Sequence, residues 1–324
     1  MEIKVYKTYE ISAALWERIA EGFRRSFNME MPVEQLKNSF CIRNKFGYGY
    51  HVVALADNGE VAGYSVDSPS YYKDDIKMVV CGSSFVCPEY RRTNEFLFWD
   101  MMQVLSKEVA KEGFQVSLGV PNQNAIEFST KIFKAKHIGD LNYYLLPLRV
   151  SKCIGKPALR FLDPLSVVFA YCHVWLHSGL SALFDCKEKK VKYELLTDEE
   201  DLQARFKGPY KHVVKKDMSA YYRVCDEDGK KVVYLMDFRE RGERAARSLG
   251  FALRRIIRSE HPDAVLFVGF LRMTQAFLLK VPKKFEPKRL PLTYVVISKA
   301  DRERLADLAD IGNWNFSLMN FDVR

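Results

Sequence analysis

Two turn signals, Asn58-Gly59 and Asp228-Gly229, constrain the fold of this chain more than any other feature of its sequence. Each lies between two alternating apolar segments, and these dipeptides favour the two-residue turn that joins antiparallel strands. The first predicted hairpin is followed by strands and amphipathic helices in alternation, and the second by a shorter series of the same kind. The sequence therefore predicts an α/β fold with mixed sheets, built from two repeats of one unit, the second shortened and divergent.

A chain of 324 residues exceeds what one hydrophobic core usually holds, so two domains are expected. We predict a first domain over residues 1–150, an apolar helical connector over 151–190 and a second domain over 191–324. Polar residues and a proline interrupt the apolar segment 161–184, leaving a run shorter than the ~20 residues that span a membrane. We expect no membrane span. We expect this segment to lie between the two domains or at a homodimer contact, because a large apolar surface must be covered.

Charge and cysteine content bear on the partners and the compartment. The formal net charge is +9, which suits an anionic ligand and is also compatible with ordinary solvated surface. The seven cysteines form no C-x-x-C pair, and the first residues lack the pattern of a signal peptide, so we predict a cytoplasmic protein. His173 and His177 are four apart without the glutamate of an H-E-x-x-H motif, and we predict no metal site.

The stretch "FVCPEYRRTNEF", residues 85–96, leads from a predicted strand through a basic loop into an amphipathic helix. Amides at a helix N-terminus and nearby arginines bind phosphate groups. Such loops usually contain glycine, and Asn94 stands where one is expected. Asparagine tolerates left-handed backbone, so the turn can still form. Phe96 is expected to crowd the phosphates or to turn into the core. A plain strand-to-helix turn with solvent-facing arginines is the alternative.

Three features in order resemble the acyl-CoA N-acyltransferase superfamily (GNAT): the strand ending "FVCPEYRR", the helix after it, and "VPN" at residues 120–122. The resemblance covers residues 1 to about 150. It implies acetyl-CoA as co-substrate, with its pyrophosphate held by the loop and its pantetheine arm beside the preceding strand. The cofactor site that it implies consists of Phe85, Val86, Cys87, Arg91, Arg92, Thr93, Asn94, Glu95 and Asn122. Cys87 is either an apolar filler or an acceptor of the acyl group, and Asn122 contacts CoA, caps a helix, or does both.

The resemblance also implies a catalytic acid, and here the sequence departs from the family. Six residues after Asn122 the family often has a tyrosine that protonates the departing thiolate, whereas this chain has Phe128. Tyr143 and Tyr144 are the candidates to replace it, with water as the alternative. No general base can be named from the sequence.

The resemblance implies a small-molecule amine as acceptor, and a likeness to acyltransferase-like proteins of bacterial surface-polysaccharide loci suggests an amino sugar. We expect no nucleic-acid partner for such an enzyme. Tandem domains also resemble aminoacyl-tRNA-dependent transferases of the FemABX type, whose partner is tRNA, and a non-catalytic CoA-binding or scaffold protein is a third hypothesis. In the second half Arg244 blocks a similar loop pattern. That half is therefore predicted to be structural or to form the acceptor wall with Trp314, Phe316, Phe321 and Asp322. The alternative is that these aromatic side chains close the domain core.

Overall fold

The computed structural model describes residues 1–40, 44–123, 125–183, 191–215, 218–240, 245–270 and 277–321. Its strands are β1 (Glu2–Lys7), β2 (Tyr50–Leu55), β3 (Val61–Tyr72), β4 (Ile76–Val86), β5 (Val116–Gly119), β6 (Lys136–Asp140), β7 (Asn142–Pro147), β8 (Tyr193–Glu194), β9 (Tyr210–Lys215), β10 (Met218–Glu227), β11 (Lys230–Glu240), β12 (Ala264–Phe270), β13 (Leu279–Lys280), β14 (Pro291–Val296) and β15 (Trp314–Ser317). Its α-helices are α1 (Ala13–Phe27), α2 (Val33–Phe40), α3 (Pro88–Thr93), α4 (Leu97–Lys111), α5 (Ile126–Lys131), α6 (Val150–Ile154), α7 (Asp163–Leu183), α8 (Glu199–Arg205), α9 (Ala245–Glu260) and α10 (Leu318–Phe321).

Both predicted hairpins are present. Strands β2 and β3 pair across the Asn58-Gly59 turn, and β10 and β11 pair across Asp228-Gly229. Asp228 and Gly229 have φ values of 52° and 73°, the left-handed backbone that a two-residue hairpin turn requires. The prediction of a mixed α/β fold is confirmed.

The strands form two sheets that exchange one strand each. The first sheet has the order β1-β2-β3-β4-β5-β14-β6, and the second contains β13-β7-β12-β11-β10-β9, with β15 beside β12. From the sequence we expect "IGDLNYYLLPLRV", residues 138–150, to supply one last strand of the first unit. The structure divides this stretch between β6, which stays in the first sheet, and β7, which pairs with β12 and β13 in the second. Strand β14 instead fills the position between β5 and β6. The boundary predicted at residue 150 therefore does not separate the two sheets.

The two sheets share one apolar core. Helices α1 and α4 cover opposite faces of the first sheet near β2 and β3, while its β4–β5–β14 region packs against side chains of the second sheet. Trp314 and Phe316 belong to this shared core, with 2% and 0% of their surface exposed. Phe321 packs against the same core and stacks on Phe316, with ring centroids 5.6 Å apart. For these aromatics the structure supports the alternative that they close the core. Asp322 lies outside the described residues.

The C-terminal strand β15 approaches β12 closely at Gly269. Gly269 has a φ of +149° and pairs with Ser317. A Cβ atom at this position would lie 2.2 Å from the carbonyl oxygen of Phe316 and 2.8 Å from the Cα of Ser317. The absence of a side chain is therefore what lets the two strands meet.

The apolar connector forms α7, which lies beside α9 over one face of the second sheet. Its inner side packs through Ala170, Val174 and Ser178, and Gly250 of α9 leaves room for the Ser178 hydroxyl. Its outer side is exposed, so within the described part of 161–184 the segment does not lie between the two sheets. In the described part of the chain, the helical segment Pro157–Leu180 has the length and apolar composition that a membrane span requires, and 11% of its 18-residue apolar window is buried.

Candidate cofactor cavity

Strands β4 and β5 run parallel for only three residue pairs and then separate. Met78, Val79 and Val80 pair with residues 116–118, and beyond this point β5 continues to pair with β14 on its other side. Between Ser84 and Cys81 the register of β4 shifts against β3 by one extra residue, which places a β-bulge at Gly82-Ser83. A bulge bends its strand and leaves ladder groups unpaired. The sheet is therefore open on the β5 side of β4.

A cavity of about 440 Å³ occupies this opening. One end is rich in hydroxyl groups from β4, β5 and α4, and the other is aromatic. Its walls are formed by Phe23, Phe27, Cys81–Ser84, Phe98, Trp99, Met102, Gln103, Ser106, Ser117–Asn122, Ala125, Phe128, Ser129, Phe133, Ala135 and Thr293–Val295. Because β14 supplies Thr293–Val295, the C-terminal half of the chain completes the cavity of the first sheet.

The predicted phosphate loop is largely helical. Residues 88–93 form α3, and the amides of Asn94 and Leu97 donate to the carbonyl oxygens of Tyr90 and Asn94, at 3.0 and 3.1 Å. Asn94 has a φ of −142°, so its backbone is extended rather than left-handed and needs no glycine. Phe96 is 68% exposed and enters neither the core nor the cavity. Part of the backbone that could bind a pyrophosphate is therefore already hydrogen-bonded.

The polar and charged residues of this loop remain on the surface. Arg91, Arg92, Thr93 and Glu95 are exposed, and the Nε of Arg91 donates to the carbonyl oxygen of Val86 at 2.8 Å. This bond holds the Arg91 side chain against the end of β4. A guanidinium has five N–H donors, so it can bind this carbonyl and an anion together.

The end of β4 packs into the core instead of lining the cavity. Phe85 is 5% exposed and stacks on Tyr64, with ring centroids 5.6 Å apart. Cys87 is fully buried, and its thiol donates to the carbonyl oxygen of Val61 at 3.2 Å. Burial raises the pKa of the Cys87 thiol, which keeps it protonated and poorly nucleophilic. These contacts support the interpretation of Cys87 as an apolar filler.

Asn122 reaches the cavity and also caps the next turn. Its Oδ1 accepts from the Ala125 amide at 2.9 Å, and it lies in the cavity wall at the end of β5. Phe128 lies in an aromatic cluster, 5.4 Å from Phe98 and 5.1 Å from Phe133 between ring centroids. Of the predicted site residues, only Asn122 lines the cavity.

The two tyrosines proposed as acids lie elsewhere. Tyr143 and Tyr144 are on β7 in the second sheet, 4% and 1% exposed, and neither borders the cavity. They were predicted beside the site because β7 was expected in the first sheet. Because β7 pairs in the second sheet, the two tyrosines lie away from the cavity of the first sheet.

Where β4 and β5 separate, three polar side chains that were not predicted from the sequence are linked across β3, β4 and β5. The Cys81 thiol hydrogen-bonds to the Asp67 carboxylate of β3, and the Cys81 Sγ lies 3.3 Å from the Ser117 Oγ of β5. Asp67 is 2% exposed, and its Oδ1 has no hydrogen-bond partner among the described residues. Cys81 and Ser117 both line the cavity. The one sequence signal of these linked side chains is the Asp67 carboxylate, which lies among the small and apolar residues of "GYSVDSP".

Burial sets the protonation of these groups. Removal from water raises the pKa of Asp67 to about 6, although the hydrogen bond from Cys81 opposes this shift. Burial and then the nearby Asp67 charge raise the pKa of the Cys81 thiol well above its ordinary value. Near neutral pH the Cys81 thiol is therefore protonated, and the Asp67 carboxylate beside it has a pKa that suits proton exchange.

A second cavity of about 390 Å³ begins two residues further along β3. Pro69, Ser70 and Tyr71 form one wall, and α8 with the C-terminal helix α10 forms another. Asp198 and Asp201 line it and both bind the Lys45 ammonium, while Arg205 is buried beneath. At about 3.3 Å per strand residue, Pro69 is roughly 7 Å from Asp67 along the strand.

Several solved structures have a similar fold. A GCN5-related N-acetyltransferase from Kribbella flavida is 12% identical, with a TM-score of 0.55 over 91% of this chain and 72% of that chain. A structure from Enterococcus faecalis V583 named a probable N-acyltransferase is 12% identical, with a TM-score of 0.55 over 92% and 73%. A GCN5-related N-acetyltransferase from Anabaena variabilis is 11% identical, with a TM-score of 0.53 over 91% and 73%.

These likenesses establish the fold. The chain has the mixed α/β fold of the GCN5-related N-acetyltransferases, as the three sequence features predicted. No family model matches the sequence, and no curated protein matches it. Among the described residues, no three histidine, cysteine or carboxylate side chains are grouped as metal ligands would be.

Proposed function

We propose that the protein is an N-acyltransferase that moves an acetyl or other acyl group from CoA to a small-molecule amine. The observation that carries this proposal is the cavity between β4 and β5, in a fold shared with N-acetyltransferases. The open side of β4 offers backbone groups with which an extended pantetheine arm can pair as an added strand. Asn122 and Arg91 lie at the two strand ends that would flank this arm.

In the proposed reaction the amine nitrogen attacks the thioester carbonyl directly. The carbon–nitrogen bond forms, the carbon–sulfur bond breaks, and the CoA thiolate leaves. The attacking ammonium gives up two protons in all, of which the thiolate takes one and the surroundings take the other. Backbone amides of the β4 bulge would stabilise the oxyanion that develops on the carbonyl oxygen.

We propose that Asp67 helps to remove the second proton. Its carboxylate is the conjugate base of a group with a pKa of about 6, which suits proton transfer near neutral pH. It would act through the Cys81 thiol, which donates to Asp67 and can accept a proton at sulfur in the same step. Asp67 is thus a positioning residue, and Cys81 with Ser117 would face the reacting atoms.

The second cavity is the proposed acceptor site. It starts on β3 near Asp67, and its two aspartates share the Lys45 ammonium, so the ammonium group of a ligand could bind them in place of Lys45. An amino sugar satisfies this requirement, because it combines one amine with several hydroxyl groups. Residues of both halves line the cavity, in keeping with the predicted role of the second half as an acceptor wall.

A non-catalytic CoA-binding protein is the second candidate function. Two observations favour it: α3 occupies the expected phosphate loop, and Phe128 takes the place of the family's acid. This hypothesis predicts CoA binding without release of free CoA from acetyl-CoA in the presence of any amine.

Ser83→Trp is expected to weaken CoA binding roughly 100-fold. Ser83 lies in the bulge of β4 and lines the cavity, so an indole there would fill the gap that the pantetheine arm needs. Isothermal titration calorimetry with CoA and acetyl-CoA measures the change. The same substitution at exposed Ser259 of α9 is the control and should leave the affinity unchanged. Equal affinities of the two variants would place CoA elsewhere.

Arg91→Ala is expected to weaken CoA binding about 10- to 150-fold, the range for one charge-assisted contact worth roughly 1.5–3 kcal/mol. The affinity for a pantetheine fragment without phosphates should not change, because that fragment lacks the group Arg91 would bind. Calorimetry with both ligands separates these cases. A variant that loses affinity for both would show instead that Arg91 acts by holding the end of β4 through Val86.

A further inference from the structure

Helix α7 presents a continuous apolar stripe to solvent. Phe161 just before it and Leu165, Phe169, Trp175 and Leu176 on it follow helical spacing along the outer side, and each is more than half exposed. Between Phe161 and Leu176 the stripe extends for about 22 Å at 1.5 Å per helical residue. A contiguous exposed patch of this size marks a binding surface more often than plain solvent contact.

The charges around the stripe are basic. Helices α7 and α9 lie side by side on one face of the second sheet, so their outer sides form one surface. Exposed cations border it at Lys156, Arg160, Arg255 and Arg258. The carboxylates among the described residues of these two helices are both engaged, because Asp163 accepts from Ser151 and Glu260 binds Lys211 and Tyr222.

This charge pattern argues against a second copy of the chain as the occupant. A two-fold contact brings the same patch of both subunits together, so each basic border would face its own like charges. An anionic lipid surface offers both an apolar layer and compensating phosphates. Trp and Phe on the apolar side with Lys and Arg beside it are typical of helices that lie in a membrane interface.

We propose that this α7–α9 face docks on the surface of a membrane that contains anionic lipids. The helix lies on the bilayer and does not cross it, because its inner side is packed on β7 and α9 through Ala170, Val174 and Ser178. If α7 left the protein to span the membrane, the core that these three residues close would be exposed. The enzyme would thus work next to a lipid surface while its fold remains intact.

Trp175 provides a reporter for the test. It is 66% exposed, whereas Trp16 and Trp314 are 3% and 2% exposed and Trp99 is partly buried in the wall of the cavity. The full chain is mixed with vesicles of phosphatidylcholine alone or with phosphatidylglycerol added. We expect sedimentation with the anionic vesicles and little with the neutral ones, together with a blue shift of tryptophan emission. Trp175→Phe should keep the binding and lose most of the shift.

Two sets of variants test the two parts of the surface. Phe169→Glu and Leu176→Glu should each reduce partitioning at least 10-fold, while Phe285→Glu, at a more exposed phenylalanine elsewhere, should not. Arg255→Gln with Arg258→Gln should reduce binding to anionic vesicles roughly 5-fold per arginine. Thermal melting checks that every variant is folded.

Three outcomes would overturn the proposal. Absence of vesicle binding together with a concentration-dependent dimer, disrupted by Phe169→Glu, would make a second copy the occupant. Absence of both vesicle binding and self-association would leave the face without a lipid role. Vesicle binding that Phe169→Glu and Leu176→Glu do not affect would place the contact on another surface.

Discussion

Asp67→Asn is expected to lower the rate of acyl transfer by about 10²- to 10⁴-fold, the range for loss of an acid–base group, while CoA binds as before. The amide keeps the shape of the carboxylate but cannot take a proton from Cys81. Release of free CoA from acetyl-CoA with a panel of amino sugars and other amines measures the rate, and calorimetry measures CoA binding. A rate within about twofold of the native one would remove Asp67 from the reaction.

The pH profile distinguishes this role from a structural one. In the native protein kcat/KM should rise with pH and level off above an apparent pKa of about 6, as Asp67 becomes ionised. Asp67→Asn should lack this limb. Cys81→Ser should retain part of the rate because a hydroxyl can also pass a proton, whereas Cys81→Val should not. A profile unchanged by Asp67→Asn would assign the limb to another group.

The pH dependence of the free energy of unfolding provides a second test of the Asp67 pKa. The pKa of Asp67 is raised from 3.8 to about 6 by folding, so the native state binds the proton more tightly than the unfolded chain. The stabilisation is complete below about pH 4 and is lost as the pH rises to about 6, a change of roughly 3 kcal/mol. Relative to Asp67→Asn, the native protein should lose that much free energy of unfolding across this range in denaturant titrations.

Gly269→Ala is expected to reduce the free energy of unfolding by roughly 3–5 kcal/mol, a loss among the larger ones for single substitutions. The new methyl group would lie 2.2 Å from the Phe316 carbonyl oxygen, and the φ of +149° is open to glycine almost alone. Backbone atoms cannot turn aside as a flexible side chain can. Urea denaturation followed by circular dichroism measures the loss.

Gly155→Ala is the matched control for this variant. Gly155 also has positive φ, 73°, but a Cβ there would meet no atom within 4 Å. It should cost only the backbone preference, on the order of 1 kcal/mol. Equal losses in the two variants would mean that the contact between β12 and β15 contributes little.

Local sequence signals predicted the hairpins, but they did not predict which strands pair between the two halves of the chain. Turn chemistry at Asp228-Gly229 predicted the second hairpin, because both residues adopt the left-handed backbone that its two-residue turn needs. In the first hairpin Ala56 is hydrogen-bonded to Glu60, so the loop has three residues, and among them only Gly59 has positive φ. The neighbours of β7 and β14 depend on contacts between residues more than a hundred positions apart. Periodicity reports which face of a strand is buried, but not which strand lies beside it.

Of the residues that the resemblance indicated, only Asn122 lines the candidate cavity, and the role of this cavity stays a prediction. The cavity lies between the strand and the Pro121-Asn122 turn that the resemblance indicated. Cys81 and Ser117 were missed because they contribute through register across strands, and nothing local marks them. Asn94 was expected in left-handed backbone by analogy with glycine, whereas α3 carries the chain through the turn in extended conformation at that residue.

The strand exchange has a consequence for how the chain is made and altered. During synthesis the sheet that holds the candidate cavity cannot be completed until residues 291–296 have left the ribosome, so the β5 edge of the first half stays unpaired until then. Chaperone dependence during translation should therefore be high for this half. The same connection makes the two halves inseparable modules: a gene fragment that encodes only the first would lack a wall of the cavity, and one that encodes only the second would lack β7.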